Sequence, residues 1–166
     1  MKLVKVLIFV AVLSLTATSS PQQTSPKLSP QTRENLMKAL HGEAFAYAKY
    51  MAYAEQARKS GHNTVADLFE ETAKTEHLEH FNEMARLAGL AGSDADNLKD
   101  AIKGETEESQ TMYPHFAELA LAAGDQAAAD RFLEIRRDEE KHRILFQDAL
   151  DKLEQKSQRT DHPSAQ

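Results

Sequence analysis

The chain repeats itself at an interval of 63 residues, and this repeat restricts its folds more than any other feature. Val65-Ala66-Asp67-Leu68-Phe69-Glu70-Glu71 aligns with Ala128-Ala129-Asp130-Arg131-Phe132-Leu133-Glu134, and Ala, Asp, Phe and Glu coincide at one offset. Glu76 and Glu139 fall at that same offset, while Gly42-Glu43 matches Gly104-Glu105 at 62. A duplicated helix pair with acids at matching inward positions is how a carboxylate-bridged dimetal site is assembled in a four-helix bundle.

Helical punctuation agrees with the repeat. The spacing predicts helices over residues 32–59, 63–88, 105–123 and 126–156. Gly61, Gly89 and Gly124 stand just past three of the ends, and Asn63 is placed to cap the second start. A short helix is expected over residues 94–103, inside the long crossover at residues 89–104. Pro114 removes a backbone donor from the third helix and is expected to kink it. Ser60-Gly61-His62-Asn63 and Ala123-Gly124-Asp125-Gln126 are short links, which force antiparallel neighbours. No stretch sustains the period-two alternation of a strand. The expected fold is all-α: a ferritin-like four-helix bundle of two antiparallel hairpins joined by the long crossover.

The ends read differently. Residues 1–20 run basic, apolar, then small, the layout of a signal peptide, and the apolar part is about half the ~20 residues that span a bilayer. Export with cleavage is therefore expected, to a periplasmic or extracellular compartment; it would take the net charge from −6 to −8 by removing Lys2 and Lys5. Residues 21–31, rich in Pro, Ser, Gln and Thr, read as a disordered linker ahead of a domain at 32–156, and 157–166 as a fraying tail. The acidic balance argues against nucleic acid as a partner. With no cysteine in the chain, disulfides, iron–sulfur clusters, thiolate zinc sites and a cysteine nucleophile are excluded.

The inward stripe of the second helix passes through Ala66, Phe69, Ala73, Glu76, then Glu79 or His80, to Leu87. That of the fourth passes through Phe132, Ile135, Glu139, His142 and Phe146. Each begins apolar, turns ionisable for a turn or two, and returns to apolar. A buried unpaired carboxylate is costly, and divalent cations would compensate it. Glu43 in the first helix, among Ala39, Ala44, Phe45 and Ala46, and Glu105 with Glu108 in the third supply the remaining acids. Any one of these could be an ordinary solvated glutamate. Acids at matching depth on all four helices point to a metal centre with oxygen and imidazole ligands. The repeat favours Glu79 as the partner of His142. His80, one residue on, is its rival, because a local π-bulge would turn it inward.

Over residues 31–153 the chain resembles the rubrerythrin family. The segments that carry the resemblance are Gly42-Glu43, Phe69-Glu-Glu-Thr-Ala73 leading to Glu76, Asn97-Leu-Lys-Asp-Ala-Ile-Lys-Gly-Glu105, Thr111-Met-Tyr-Pro-His-Phe116 and Asp138-Glu139-Glu-Lys-His142. The resemblance implies two iron ions, with manganese as an alternative, held by Glu43, Glu76, Glu105, Glu108, Glu139 and His142. Glu76 and Glu139 would bridge them. It implies that Tyr50 and Tyr113 hydrogen-bond to ligand carboxylates, and that Glu108 shifts on and off the metal. It implies reduction of hydrogen peroxide, or reaction with dioxygen, with Glu108 or Tyr113 helping to deliver protons. Two departures stand out. Glu79 occupies the place of the family's usual histidine, and nothing here corresponds to its cysteine-rich rubredoxin tail, so an external electron donor is expected. A homodimer is expected, with helix exchange between subunits permitted by the crossover. The competing readings are a ferritin-like iron-handling protein that oxidises ferrous iron, and a metal-free helical scaffold.

Overall fold

The computed structural model describes residues 27–161, and the expected signal peptide at residues 1–20 lies outside them. Every regular element among the described residues is helical. Helix α1 covers Pro30–Lys59 and α2 Asn63–Thr75; α2 continues through a π-helical turn, π1 (Glu76–Phe81), into α3 (Asn82–Ala88). After a short link, α4 (Asp94–Glu107) runs through a second π-helical turn, π2 (Glu108–Met112), into α5 (Tyr113–Ala123). Helix α6 (Gln126–Asp161) returns alongside it and extends five residues into the expected tail. None of the described helices is long and apolar enough to cross a membrane.

Two antiparallel hairpins result, α1 against α2–π1–α3 and α4–π2–α5 against α6. Their turns are copies of each other. Gly61 and Gly124 adopt φ of 75° and 83°, the left-handed region that glycine enters without a Cβ penalty. The His62 amide then donates to the Ala57 carbonyl and the Asp125 amide to the Ala120 carbonyl, each at 2.9 Å, closing the last turn of α1 and of α5 in the same way. Small residues line the seam behind each turn. Ala54, Ala57 and Ala66 are buried in the first hairpin, and Ala117, Ala120 and Ala129, each 63 positions later, in the second. Alanine lets the helix axes approach closely at little entropic cost. Above the alanines, Tyr50 stacks on Phe69 at 6.0 Å between ring centroids, and Tyr113 lies over Phe132 at 6.2 Å.

The short helix expected at residues 94–103 is the first part of α4, which passes unbroken through Gly104. A helical glycine costs about 1 kcal/mol against alanine; the helix-forming residues on both sides outweigh it. The crossover therefore shrinks to residues 89–93. Pro114 lies inside the continuous arm, directly after π2, and this wide turn is the irregularity expected of its missing N–H. Among the described residues of one chain, no helix of the first hairpin packs against a helix of the second.

Because a Cβ on Gly124 would meet no neighbouring atom, substitution there tests backbone conformation alone. Gly124→Ala is expected to destabilise the protein by about 1 kcal/mol, read as a lower midpoint in denaturant melts. An unchanged midpoint would show that the turn does not hold the hairpin.

Candidate metal centre

Each hairpin gathers two carboxylates and one imidazole at its middle. In the first, Glu43 from α1 meets Glu76 and His80 from π1; in the second, Glu105 from α4 meets Glu139 and His142 from α6. In each group one ligand atom per residue lies within 4.8 Å of the others. His80 Nδ1 is 2.7 Å from Glu76 Oε2, and His142 Nδ1 is 2.8 Å from Glu139 Oε2. His142 Nδ1 also lies 3.8 Å from Glu105 Oε2. The glutamates are largely covered, with side-chain exposures of 16% for Glu76, 19% for Glu105 and 15% for Glu139. The histidines remain half exposed at the open edge.

The two groups match although His80 follows its glutamate by four residues and His142 by three. Turn π1 takes up the difference, because a π turn holds one residue more than an α turn and shifts the phase of the residues beyond it. His80 thereby reaches the place that residue i+3 holds in α6. Glu79, the residue favoured by the repeat, is exposed and stays outside the group. Turn π2 does the same for the second hairpin. Glu105 precedes Tyr113 by eight residues and Glu43 precedes Tyr50 by seven, and π2 lies between the former pair. The change of offset from 62 at Glu43 and Glu105 to 63 at Tyr50 and Tyr113 is the trace of π2, and π1 returns it to 62 at His80 and His142.

Burial and the facing carboxyls act on the acids of both groups. Burial, then the facing Glu76 carboxyl, push Glu43 above the usual carboxylate range, with His80 opposing. Burial, then the facing Glu139 carboxyl, do the same to Glu105. Glu105 Oε2 is buried with no hydrogen-bond partner. The hydrogen bond to Glu76 is the main cause raising His80. Burial pushes the Tyr113 hydroxyl up, helped by the charges of Glu108, Glu139 and Glu105, so Tyr113 faces this second group. Glu108 opens π2, half buried, outside the three-residue group. Neither Tyr50 nor Tyr113 hydrogen-bonds to a carboxylate within one chain; their rings stack on Phe69 and Phe132 instead.

A supporting network around π2 escaped the sequence reading. Ser109 is buried, and its hydroxyl donates to the Glu105 carbonyl at 2.6 Å. Its carbonyl accepts from Arg136 Nε at 3.1 Å, which satisfies a backbone acceptor in the irregular turn. Arg143 donates twice to Glu140, at 2.9 Å each. Arg143 stands 63 positions after His80, but the residue inserted in π1 makes His142 the structural match of His80.

A family profile described as Rubrerythrin matches residues 34–150. Similar proteins include rubrerythrin of Porphyromonas gingivalis, 36% identical over 124 residues, which cover 68% of this chain and 62% of that protein. Rubrerythrin-1 of Clostridium acetobutylicum is 33% identical over 141 residues, covering 75% and 72%. Among solved structures, fully reduced, all-ferrous nigerythrin is 31% identical with a TM-score of 0.39, covering 80% of this chain and 72% of that one. The chain thus spans roughly three fifths to three quarters of these relatives. It belongs to the rubrerythrin family, whose members are di-iron carboxylate proteins. Its residues fit that cofactor: hard oxygen donors with imidazole, paired acids in need of positive charge, and one orphaned carboxylate oxygen.

Glu43, Glu105 and His80 each hold a proton more tightly folded than unfolded, so each contributes stability at low pH that is lost as pH rises through its raised pKa. The metal-free protein is expected to melt at progressively lower temperature between about pH 5 and about pH 8, and Glu105→Gln to flatten that slope. Calorimetry showing a flat or rising profile would contradict the assignment.

Proposed function

We propose that this member of the rubrerythrin family, a di-iron oxidoreductase, reduces hydrogen peroxide to water in an exported compartment, drawing electrons from an external donor. The observation that carries the reading is the pair of matching groups, Glu43–Glu76–His80 and Glu105–Glu139–His142, each short of positive charge. Together they offer four carboxylates and two imidazoles, a ligand set for two hard or borderline ions. Bound there, a reduced iron pair supplies two electrons and Lewis-acid polarisation of the peroxide oxygens. The balance is one peroxide, two electrons and two protons to two waters.

The chain's own residues account for the protons and the setting. The Tyr113 hydroxyl is kept protonated by burial and by the nearby acids, so it holds a proton beside the second group. Glu108, half buried at the head of π2, is near enough for its charge to act on that hydroxyl, yet stands free of the three-residue group. It can take up a proton and pass it inward. The Tyr50–Phe69 and Tyr113–Phe132 stacks lie on the turn side of the acids and limit water from that end. His80 serves as the nitrogen ligand of the first group, with Glu79 left to solvent. The exported location rests on the basic, apolar and small pattern of residues 1–20.

Metal analysis with peroxide-consumption kinetics tests the reading. The wild type is expected to hold two irons per chain and consume peroxide, and Glu139→Ala to lose both. Tyr113→Phe is expected to keep its iron and turn over about 100-fold more slowly. His80→Ala is expected to lower iron content, and Glu79→Ala to leave it unchanged; the reverse would restore Glu79 as the ligand. Iron-loaded protein that ignores peroxide but oxidises ferrous iron within a many-subunit shell would favour iron handling instead.

A further inference from the structure

The two hairpins follow one plan, and one aromatic ring departs from it. In the first, Tyr50, Tyr53 and Phe69 form a triangle, with ring centroids 6.3 Å apart for Tyr50–Tyr53, 6.0 Å for Tyr50–Phe69 and 5.3 Å for Tyr53–Phe69. In the second, Tyr113–Phe116, Tyr113–Phe132 and Phe116–Phe132 stand at 6.3, 6.2 and 5.6 Å. Each ring of the second triangle comes 63 positions after its match, so Tyr53 holds the place of Phe116. We propose that Tyr50 and Tyr53 form a one-electron relay, which passes an electron from solvent-facing Tyr53 through Tyr50 toward the Glu43–Glu76–His80 group. The relay rests on the dimetal peroxidase reading above and adds a route by which a small phenolic reductant supplies single electrons.

Packing does not account for the Tyr53 hydroxyl. Phe116 builds a triangle of nearly the same dimensions without one. Exposure does not account for it either, because Phe116 is 39% exposed and Tyr53 47%. Among the described contacts the Tyr53 hydroxyl makes no hydrogen bond; its ring alone is engaged. What the oxygen adds is chemistry. A phenol gives up an electron readily once its O–H proton can leave, and a phenylalanine ring has no such proton. The chain contains neither cysteine nor tryptophan, which leaves tyrosine as its readiest one-electron donor.

Placement joins the pair to the acids. Tyr50 follows Glu43 by seven residues on α1, and Phe69 precedes Glu76 by seven on the facing arm, so the triangle begins two turns, or about 10 Å, from the carboxylates. Tyr53 lies almost one turn further out, where water can take its proton. Lys49 gives the pair a direction. Its Nζ lies 5.2 Å from the Tyr50 ring centroid and 5.6 Å from that of Phe45. A cation over a ring face is attracted by the ring's electrons and makes their removal harder. An electron vacancy is therefore disfavoured on Tyr50 and comes to rest on Tyr53. In the second hairpin the residue before the tyrosine is Met112, so the cation and the second phenol are both missing there.

The relay matters when the centre holds a single reducing equivalent. One electron from the centre, one from Tyr53 and two protons then turn hydrogen peroxide into two waters. Tyr53 loses its phenolic proton to solvent and becomes a neutral tyrosyl radical. A small phenol returns a hydrogen atom to it and leaves as a phenoxyl radical.

Flash photo-oxidation of the metal-free chain tests the relay. The chain has no cysteine and a Cβ at Gly42 meets nothing within 4 Å, so G42C can carry a ruthenium photo-oxidant beside Glu43. Tyr47, also exposed, is changed to phenylalanine in every sample. The flash is expected to leave a long-lived tyrosyl radical, read by transient absorption and electron paramagnetic resonance. Tyr53→Phe, which copies the ring already present in the second hairpin, should lose that signal, and Tyr50→Phe should slow its appearance. Adding Lys49→Met to Tyr53→Phe should bring part of the signal back, now on Tyr50. A signal that survives Tyr53→Phe with its full lifetime, or that forms as fast in Tyr50→Phe, overturns the relay whatever the metal content. In iron-loaded protein given one electron per centre and then peroxide, the radical should appear at Tyr53 and decay when p-cresol is added. Peroxide consumed with no such radical also overturns the proposal, whereas an intact flash signal in a wild type that ignores peroxide would retire the peroxidase reading alone.

Discussion

Carboxylates held side by side and partly out of water repel one another, and this repulsion organises the molecule. Glu43 faces Glu76 and Glu105 faces Glu139, each pair with a single imidazole at hand. An apolar pair at these positions would make a better seam and a more stable hairpin. Keeping acids there costs folding free energy that cations return on binding. The rest of each hairpin works to hold the acids in place. Alanine seams set a close helix approach, glycine turns lock the antiparallel register, and aromatic stacks fix the depth at which the acids begin.

Much of this is legible in the residues alone. The repeat predicts paired hairpins, and glycines at 61 and 124 predict their turns. Helical spacing draws Glu43, Glu76, Glu105, Glu139 and His142 to one depth. The choice between Glu79 and His80 is not readable in the same way, because a single uniform period traces the inward faces. A π turn breaks that period locally, and nothing in the composition of Glu76–Phe81 announces one. The continuity of α4 through Gly104 is hidden for a related reason. A glycine is a stop signal only when its neighbours do not favour helix, and here they do. Which hairpin meets which lies beyond pattern reading, since the same apolar stripes serve a neighbour on the same chain or on another.

The two halves are most alike near their turns and diverge toward their far ends. Gly61 and Gly124, the alanine seams and the Tyr–Phe stacks keep one common offset. Beyond the acids, roles separate. His80 and His142 keep matching places, whereas the Ser109 and Arg136 network has no equivalent among the described contacts of the first hairpin. The halves share a symmetric frame, and the Tyr113 hydroxyl, raised by burial and by the charges of Glu108, Glu139 and Glu105, lies in one of them.

The π turns have a consequence for how such a chain can change. Adding one residue to a regular α-helix rotates everything beyond it by about 100°, which would swing a core stripe into solvent. Confined to a single wide turn, the added residue disturbs only that turn, and the stripes on either side keep their aim. Each arm of the molecule can therefore gain or lose a residue beside its acids and remain foldable. The residues beside the paired acids are thus the part of the chain freest to be re-aimed, while the distant turns stay fixed.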